Sequence, residues 1–429
     1  MTRPSDPPNV VLITVDCLRR DRISAYGYER RTTPFLDSLL DGALHATSAH
    51  SASSWTCPSV CSLLTGLYPH RHGGGLVPGE PKNLSKDDLP TKLPADVPTL
   101  ADRLRERGYV TGAFGAVWNA HLPLAGRFDE MVLLEKPGNV LTGRALDWVR
   151  RQDGPFLLWL HLGDTHEPLD VPRDLREAFG SVPKVRKAKT WAFTKAEDAV
   201  GSEAFMRYRD ARTRLYDAAV RSVDRILEDF MRDLERLGVR DRTVVVVSSD
   251  HGEEFWEHRD EEMDSFFDPR NVFGTGHGHH LFQVHLLVPL IVVGPDVPAG
   301  PISQNASLVD VMPTMLELVG DGGERLDGRS LLGPAAERRP IFAEAMAYGY
   351  EKRVVIEGDL KLLSAPGDDV ERLYALGPDR REAGWVEDPA EVDRLRSMLQ
   401  DPLLDPELGE QVEATDEIVE HLKNLGYID

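Results

Sequence analysis

Unbroken apolar runs alternate along this chain with stretches in which apolar residues recur every third or fourth position. "NVVLITVD" (9–16), "GPFLLWLHLGD" (154–164), "RTVVVVSSD" (242–250) and "LLVPLIVVGP" (286–295) are runs of the first kind. Such runs fit strands buried on both faces of a parallel sheet. The second kind includes "TPFLDSLLDGA" (33–43) and "DVPTLADRLRERGY" (96–109), the latter feeding a strand in "VTGAFGA". It also includes "RLYDAAVRSVDRILEDFMRDLERLGV" (214–239), where Val220, Val223, Ile226, Leu227, Phe230 and Leu234 form one helical stripe. Strands alternating with helices predict an α/β fold, doubly wound around a mostly parallel sheet.

Past about residue 325 the texture changes. "RPIFAEA" (339–345), "EKRVVIEGDLKLLS" (351–364) and "ERLYAL" (371–376) read as short strands, with "GD" as a hairpin turn. The expected division is a larger α/β domain over 1–325 and a smaller α+β subdomain over 326–429. The second has a small antiparallel sheet and a closing helix in "DEIVEHLKNLGY". "PGEPKNLSKDDLPTKLPADVP" (78–98) is a Pro-rich loop. Residues 170–213 are highly charged, with "KVRKAK" at 184–189, and read as a surface insertion; a cation-bearing flap over an anionic substrate is the alternative.

Charge narrows the partners. The net charge of −21 repels polyanions, so nucleic acid and anionic membrane are not expected partners. No run approaches the roughly 18 apolar residues of a membrane span. "MTRPSDPP" lacks the basic and apolar pattern of a secretory leader, so a cytoplasmic location is expected. Cys17, Cys57 and Cys61 form no zinc-knuckle spacing, and a disulfide scaffold is not expected in so long a chain. The sequence does not fix an oligomeric state.

Polar residues gather where the strands end: Asp16, Asp164, and Asp250 with His251. In open α/β sheets the site lies outside the carboxyl ends of the strands. One strand-end Asp is as readily a helix cap, but three with polar partners point to a shared site. Asp16, Asp250 and His251 suit a divalent cation; carboxylates take hard ions and the imidazole shifts preference toward manganese, zinc or iron. His161, Asp164 and His166 in "LHLGDTHEP", with His277, His279 and His280 in "GTGHGHHLF", form a second group. Its ordinary reading is hydrogen-bonded imidazoles. The alternative is a second ion on Asp164, His166 and one of the later histidines. Two ions about 3.5–4 Å apart clamp a displacement at phosphorus. With one ion, the histidines stabilise an oxyanion and supply a general acid. "SASSWTCPSVCSLLTG" (51–66) holds three candidate nucleophiles: Thr56, Cys57 and Ser59.

Several stretches together resemble the sulfatase family of the alkaline phosphatase superfamily. "VVLITVDCLRRDRISAYGY" resembles its N-terminal metal strand, and "WTCPSVCSLLTGLYPHRHG" its nucleophile signature, C/S/T-x-P-S-x-x-x-x-L-T-G. "LHLGDTHEP", "VVVVSSDHGEEF", "GHGHHLFQVHLLVPLIV", "SLVDVMPTMLELVG" and "ERLYALGPDRREAG" resemble later family segments, in the right order. The resemblance implies a fold of the alkaline phosphatase/sulfatase type. It places the nucleophile two residues before Pro58, at Thr56, with Cys57 one residue out of register. Ser59 then caps a helix beginning beyond Pro58. Family members that form formylglycine carry C-x-P-x-R; this chain reads T-C-P-S-V, so no formylglycine is expected.

Threonine-nucleophile relatives in that superfamily act at phosphorus. The resemblance therefore implies a metal-dependent hydrolase of phosphate (di)esters or phosphonate esters acting on a small anionic substrate. The alternatives are a sulfatase without formylglycine and a phosphoryl or sulfuryl transferase; a non-catalytic binding relative is disfavoured. Asp16, Thr56, Asp250 and His251 are the expected metal site. His166 and His277 are the expected partners of Thr56 in catalysis and, with Asp164, of a second ion. Asn119 and His279 are the candidate substrate contacts. A family lysine has no counterpart in "GAVWNAH" (115–121), and His277 stands where a second is common. Cys17 follows the metal Asp and is a soft ligand; manganese or zinc is favoured, with calcium and magnesium as alternatives. Asp21 is expected to pair with Arg19 or Arg20.

Overall fold

The computed structural model describes residues 7–135, 137–185, 187–322, 325–333, 338–377, 381–382, 384–399 and 408–424. Residues 378–380 and 383 of "ERLYALGPDRREAG", 425–427 of the closing helix and Arg186 of "KVRKAK" lie outside them.

Eight strands make the central sheet: β1 (Asn9–Val15), β2 (Leu44–Ala46), β3 (Val110–Gly115), β4 (Glu130–Leu133), β5 (Phe156–Leu162), β6 (Thr243–Ser249), β7 (Leu290–Val293) and β8 (Gly300–Ile302). Their order is β8-β2-β7-β6-β1-β5-β3-β4. Only β7 runs antiparallel to its neighbours, β2 and β6. Among the described residues, the α-helices of six residues or more are α1 (Pro34–Leu39), α2 (Thr56–Thr65), α3 (Leu100–Arg105), α4 (Gly138–Val149), α5 (Glu203–Arg236), α6 (Arg259–Ser265), α7 (Val311–Leu318), α8 (Pro389–Leu399) and α9 (Asp416–Asn424).

The alternation along β1 sorts its side chains into two layers. Val11, Ile13 and Val15 pack with Leu215, Val223, Leu227 and Phe230 of α5. Val10 and Leu12 pack with Val60, Leu63 and Leu64 of α2 and Met312 of α7. Each such side chain contributes about 1.5–3 kcal/mol on burial. The expected stripe at 214–239 is thus the core face of α5. The helix starts earlier, at Glu203, because Ser202 Oγ accepts from Phe205 N at 3.2 Å and caps it. Likewise α3 is set by a capping box between Thr99 and Asp102. Among the described residues no helix is long and apolar enough to cross a membrane.

The smaller sheet is an antiparallel meander, β9 (Ile341–Ala343), β10 (Arg353–Glu357), β11 (Leu360–Ala365), β12 (Val370–Ala375) and β13 (Trp385–Val386). One face packs Ile341, Val354, Ile356 and Leu363 on Phe266, Leu281 and Phe282; the other packs on Leu395 and Leu399 of α8. A buried ion pair ties the sheet to the larger layer. Lys361 Nζ meets Glu382 Oε1 at 2.5 Å and also donates to Leu281 O, while Gln283 N donates to Glu382 Oε2 at 2.6 Å. Removing one partner leaves a buried charge alone, so Glu382→Ala is expected to cost about 3–5 kcal/mol, read by urea unfolding. The Lys361→Met, Glu382→Leu double variant should recover much of that loss.

Candidate active site

The three middle strands converge on one cluster. Thr14 of β1 sits opposite His161 of β5, and Val15 lies between Leu162 of β5 and Ser249 of β6. The next residues along β1 and β6 are Asp16 and Asp250, which therefore leave the sheet side by side. Both are fully buried, as are His161 and His251. His251 Nε2 lies 3.5 Å from Asp16 Oδ1, 3.4 Å from Asp250 Oδ2 and 3.3 Å from Thr56 Oγ1. His161 Nε2 lies 3.5 Å from Asp16 Oδ2 and 4.0 Å from Asp250 Oδ2. The His251 Nδ1–H donates to Gly252 O at 2.8 Å, which leaves the Nε2 lone pair facing the carboxylates. Position 252 must be glycine, because a Cβ there would collide with Val284 O.

Two carboxylates this close cannot both ionise cheaply in a buried site. Burial works against the Asp16 anion, yet the His166 charge and the His161 and His251 imidazoles hold its carboxyl well below the usual range. Burial and the Asp16 charge push the Asp250 carboxyl up. Asp16 Oδ2, Asp250 Oδ2 and His161 Nε2 have no hydrogen-bond partner among the described residues. Orphaned acceptors in an oxygen- and imidazole-rich cage fit a divalent cation. Asp16, Asp250 and His251, with the Thr56 hydroxyl, are the residues that would hold it. His161 joins this group in the structure, although its spacing had placed it with Asp164 and His166.

Thr56 opens α2. The helix starts at Thr56, not beyond Pro58, since proline is tolerated in a first turn. Ser59 is therefore not its cap; Ser59 Oγ donates to Ser53 O at 3.1 Å and contacts Ser51 Oγ at 2.9 Å. Cys57 turns away from the cluster: its Sγ donates to Asn119 O at 3.1 Å, and burial pushes its thiol well above the ordinary value. Asn119 is buried beside it, and its Nδ2 has no partner among the described residues.

A second cluster adjoins the first, and its membership differs from the expected one. Cys17, His166 and His277 are buried and bring one donor atom each within 4.8 Å of one another. Cys17 Sγ lies 3.6 Å from His277 Nδ1 and 3.1 Å from Asp16 Oδ1. Its backbone takes φ 60°, which turns the thiol into the site. His277 Nδ1 also meets Glu253 Oε1 at 3.2 Å, and the His166 Nδ1–H donates to Glu167 O at 2.6 Å.

Asp164 is not part of this group. Both its oxygens accept from Gly138 N, at 3.1 and 3.0 Å, so it caps α4. Burial pushes its carboxyl up to about 6. His279 is also elsewhere: its Nε2 lies 3.6 Å from Glu262 Oε1, in a cluster with His280. Asp21 pairs with Arg19 at 2.8 Å, as expected.

A cleft of about 500 Å³ reaches His166 and His277 from the surface, walled by Lys86, Trp191, Lys195, Arg270 and Tyr348. The segment 170–213 therefore forms part of a cleft wall through Trp191, Thr194 and Lys195. Lys189 of "KVRKAK" is instead spent on Asp170, at 2.5 Å.

Residues 8–321 match the family model described as Sulfatase. Arylsulfatase K of Bos taurus is 25% identical over 389 residues, spanning 77% of this chain and 66% of that enzyme. The chain thus covers about two thirds of that curated relative's length. The crystal structure of a phosphonate monoester hydrolase of Agrobacterium radiobacter shares the fold, with TM-score 0.67 and 19% identity over 92% of this chain and 95% of its own. A structure solved with its substrate D-glucosamine-2-N,6-O-disulfate does so with TM-score 0.71 and 17% identity, over 98% of each chain. The order of the motifs, the eight-stranded sheet and the strand-end cluster agree with the family match: the chain belongs to the sulfatase family of ester hydrolases.

Proposed function

We propose that this protein is a metal-dependent hydrolase of phosphate diesters or phosphonate esters, with Thr56 as its nucleophile and manganese or zinc as its metal. The observation that carries the reading is the pairing of Thr56 with Cys57. Thr56 Oγ1 lies inside the acidic and imidazole cluster, while the Cys57 thiol beside it is bonded away to Asn119 O. A bound divalent cation at Asp16, Asp250 and His251 would lower the pKa of the Thr56 hydroxyl and offset charge on the ester oxygens.

The chain supplies the rest. Thr56 stands at the amino end of a ten-residue helix, where the backbone dipole favours an anion. Its Oγ1, the hydroxyl proton having passed to water, attacks the phosphorus in line; the leaving oxygen departs with the bonding pair and takes a proton from the His166 imidazolium. His166 and His277 border the cleft and hold the equatorial and leaving oxygens. Water then attacks the phosphorus and releases Thr56. Lys86 and Lys195 with Trp191 and Tyr348 at the cleft wall suit an anionic ester with a planar or apolar leaving group, while Arg270 is paired with Asp268 at 2.7 Å.

The arylsulfatase name of the curated relative supports a second reading, direct sulfate-ester hydrolysis by Thr56. Initial rates on aryl phosphate, phosphodiester, phosphonate and sulfate esters with manganese or zinc decide between them. The proposal expects the highest kcat/KM on a diester or phosphonate; a dominant sulfate-ester rate overturns it.

A further inference from the structure

Away from Thr56, three buried side chains converge with no role in the chemistry above. Glu262 on α6, and His279 and His280 in the loop beyond His277, bring one donor atom each within 4.8 Å of one another. Glu262 Oε1 stands 3.6 Å from His279 Nε2 and 3.6 Å from His280 Nε2. That is too long for a hydrogen bond. It matches two ligands of one zinc, since donors about 2.0–2.1 Å from the ion at a tetrahedral angle stand roughly 3.4 Å apart. Glu262 Oε1 and His279 Nε2 have no hydrogen-bond partner among the described residues, and both side chains are at least 99% buried.

The rest of the surroundings holds the ligands in place. Gly274 N donates to Glu262 Oε2, which leaves Oε1 facing the imidazoles. His279 and His280 stand ring to ring at 4.6 Å, and His280 packs on Phe266 at 4.7 Å. The Glu254 carboxyl adjoins that of Glu262 and is itself fully buried, with Oε2 lacking a partner among the described residues. Two buried carboxyls beside two imidazoles are costly unless a cation or a shared proton offsets the charge.

We infer that Glu262, His279 and His280 form a structural zinc site. Two imidazoles and carboxylate oxygens are a donor set suited to zinc. The site pins the loop that carries His277 to α6, so it steadies His277 without touching the reacting atoms. This inference stands apart from the chemistry of Thr56.

Anomalous diffraction above the zinc edge, from crystals of the full chain dialysed against micromolar zinc, tests it directly. The expected result is a peak enclosed by Glu262 Oε1, His279 Nε2 and His280 Nε2, distinct from any peak at Asp16. A map without that peak overturns the inference. Zinc analysis of the Glu262→Gln variant should return one equivalent fewer than the wild type; equal zinc contents also overturn it. Should that variant fail to fold, the wild-type map decides alone.

Discussion

Replacing Thr56 with alanine is expected to lower kcat/KM by at least about 10³-fold, with the loss in kcat, because an in-line nucleophile acts only in the transition state. The fold should survive. Thr56 opens α2 without capping it, and the remaining nine residues of that helix are buried against the core. Thr56→Ser keeps the hydroxyl and should retain much of the activity. Cys57→Ser is the control: Cys57 Sγ already points at Asn119 O, so kcat should stay within a few-fold of the wild type. Steady-state kinetics on the best ester of the panel measures all three. Full turnover by Thr56→Ala would remove Thr56 from the reaction.

Asp250→Asn is expected to act in opposite directions on activity and on apo-protein stability. Asp250 adjoins Asp16 through His251, and burial with the Asp16 charge pushes its carboxyl up. With metal present, the variant loses a ligand; kcat/KM should fall by at least about 10²-fold and one equivalent of bound metal should be lost. With chelator, the variant should melt at the same temperature as the wild type or above it, since it no longer sets two carboxylates against each other. Metal should raise the wild-type Tm, by an amount equivalent to about 2.7 kcal/mol at one hundred times Kd, and raise the variant's less. Scanning fluorimetry with and without chelator reads both signs. A lower Tm for the variant in chelator would mean that Asp250 serves the fold and not an ion.

The layered α/β fold was legible because β1, β5 and β6 are buried on both faces and so read as unbroken apolar runs. Asp16, Asp250 and His251 were legible for the same reason: each follows a strand end, and strand ends in such a sheet meet. That Thr56 faces this cluster agrees with the resemblance to the family signature, which singles out the position two residues before Pro58. The misplaced residues all depend on pairings far apart in the chain. His161 joins the Asp16 cluster only because β5 lies beside β1 in the register that sets Thr14 opposite it. Asp164 is drawn to the start of α4, where Gly138 lets the carboxylate come close; a Cβ there would stand 2.6 Å from Asp164 Oδ2. Cys17 takes the vacated place through a left-handed backbone that no apolar pattern encodes. His279 sits two residues from His277 in sequence, yet its partner Glu262 lies on α6.

With Thr56 as the nucleophile, its Oγ1 becomes covalently bonded to the transferred group during turnover. Acid-quenching the enzyme during turnover of its best substrate, followed by tandem mass spectrometry of the peptide spanning 51–66, tests it most directly. A phosphoryl or phosphonyl adduct on Thr56 is expected to appear with the first turnover and to be absent from Thr56→Ala. An adduct on Cys57, or a burst of product with Thr56 unmodified, would contradict it.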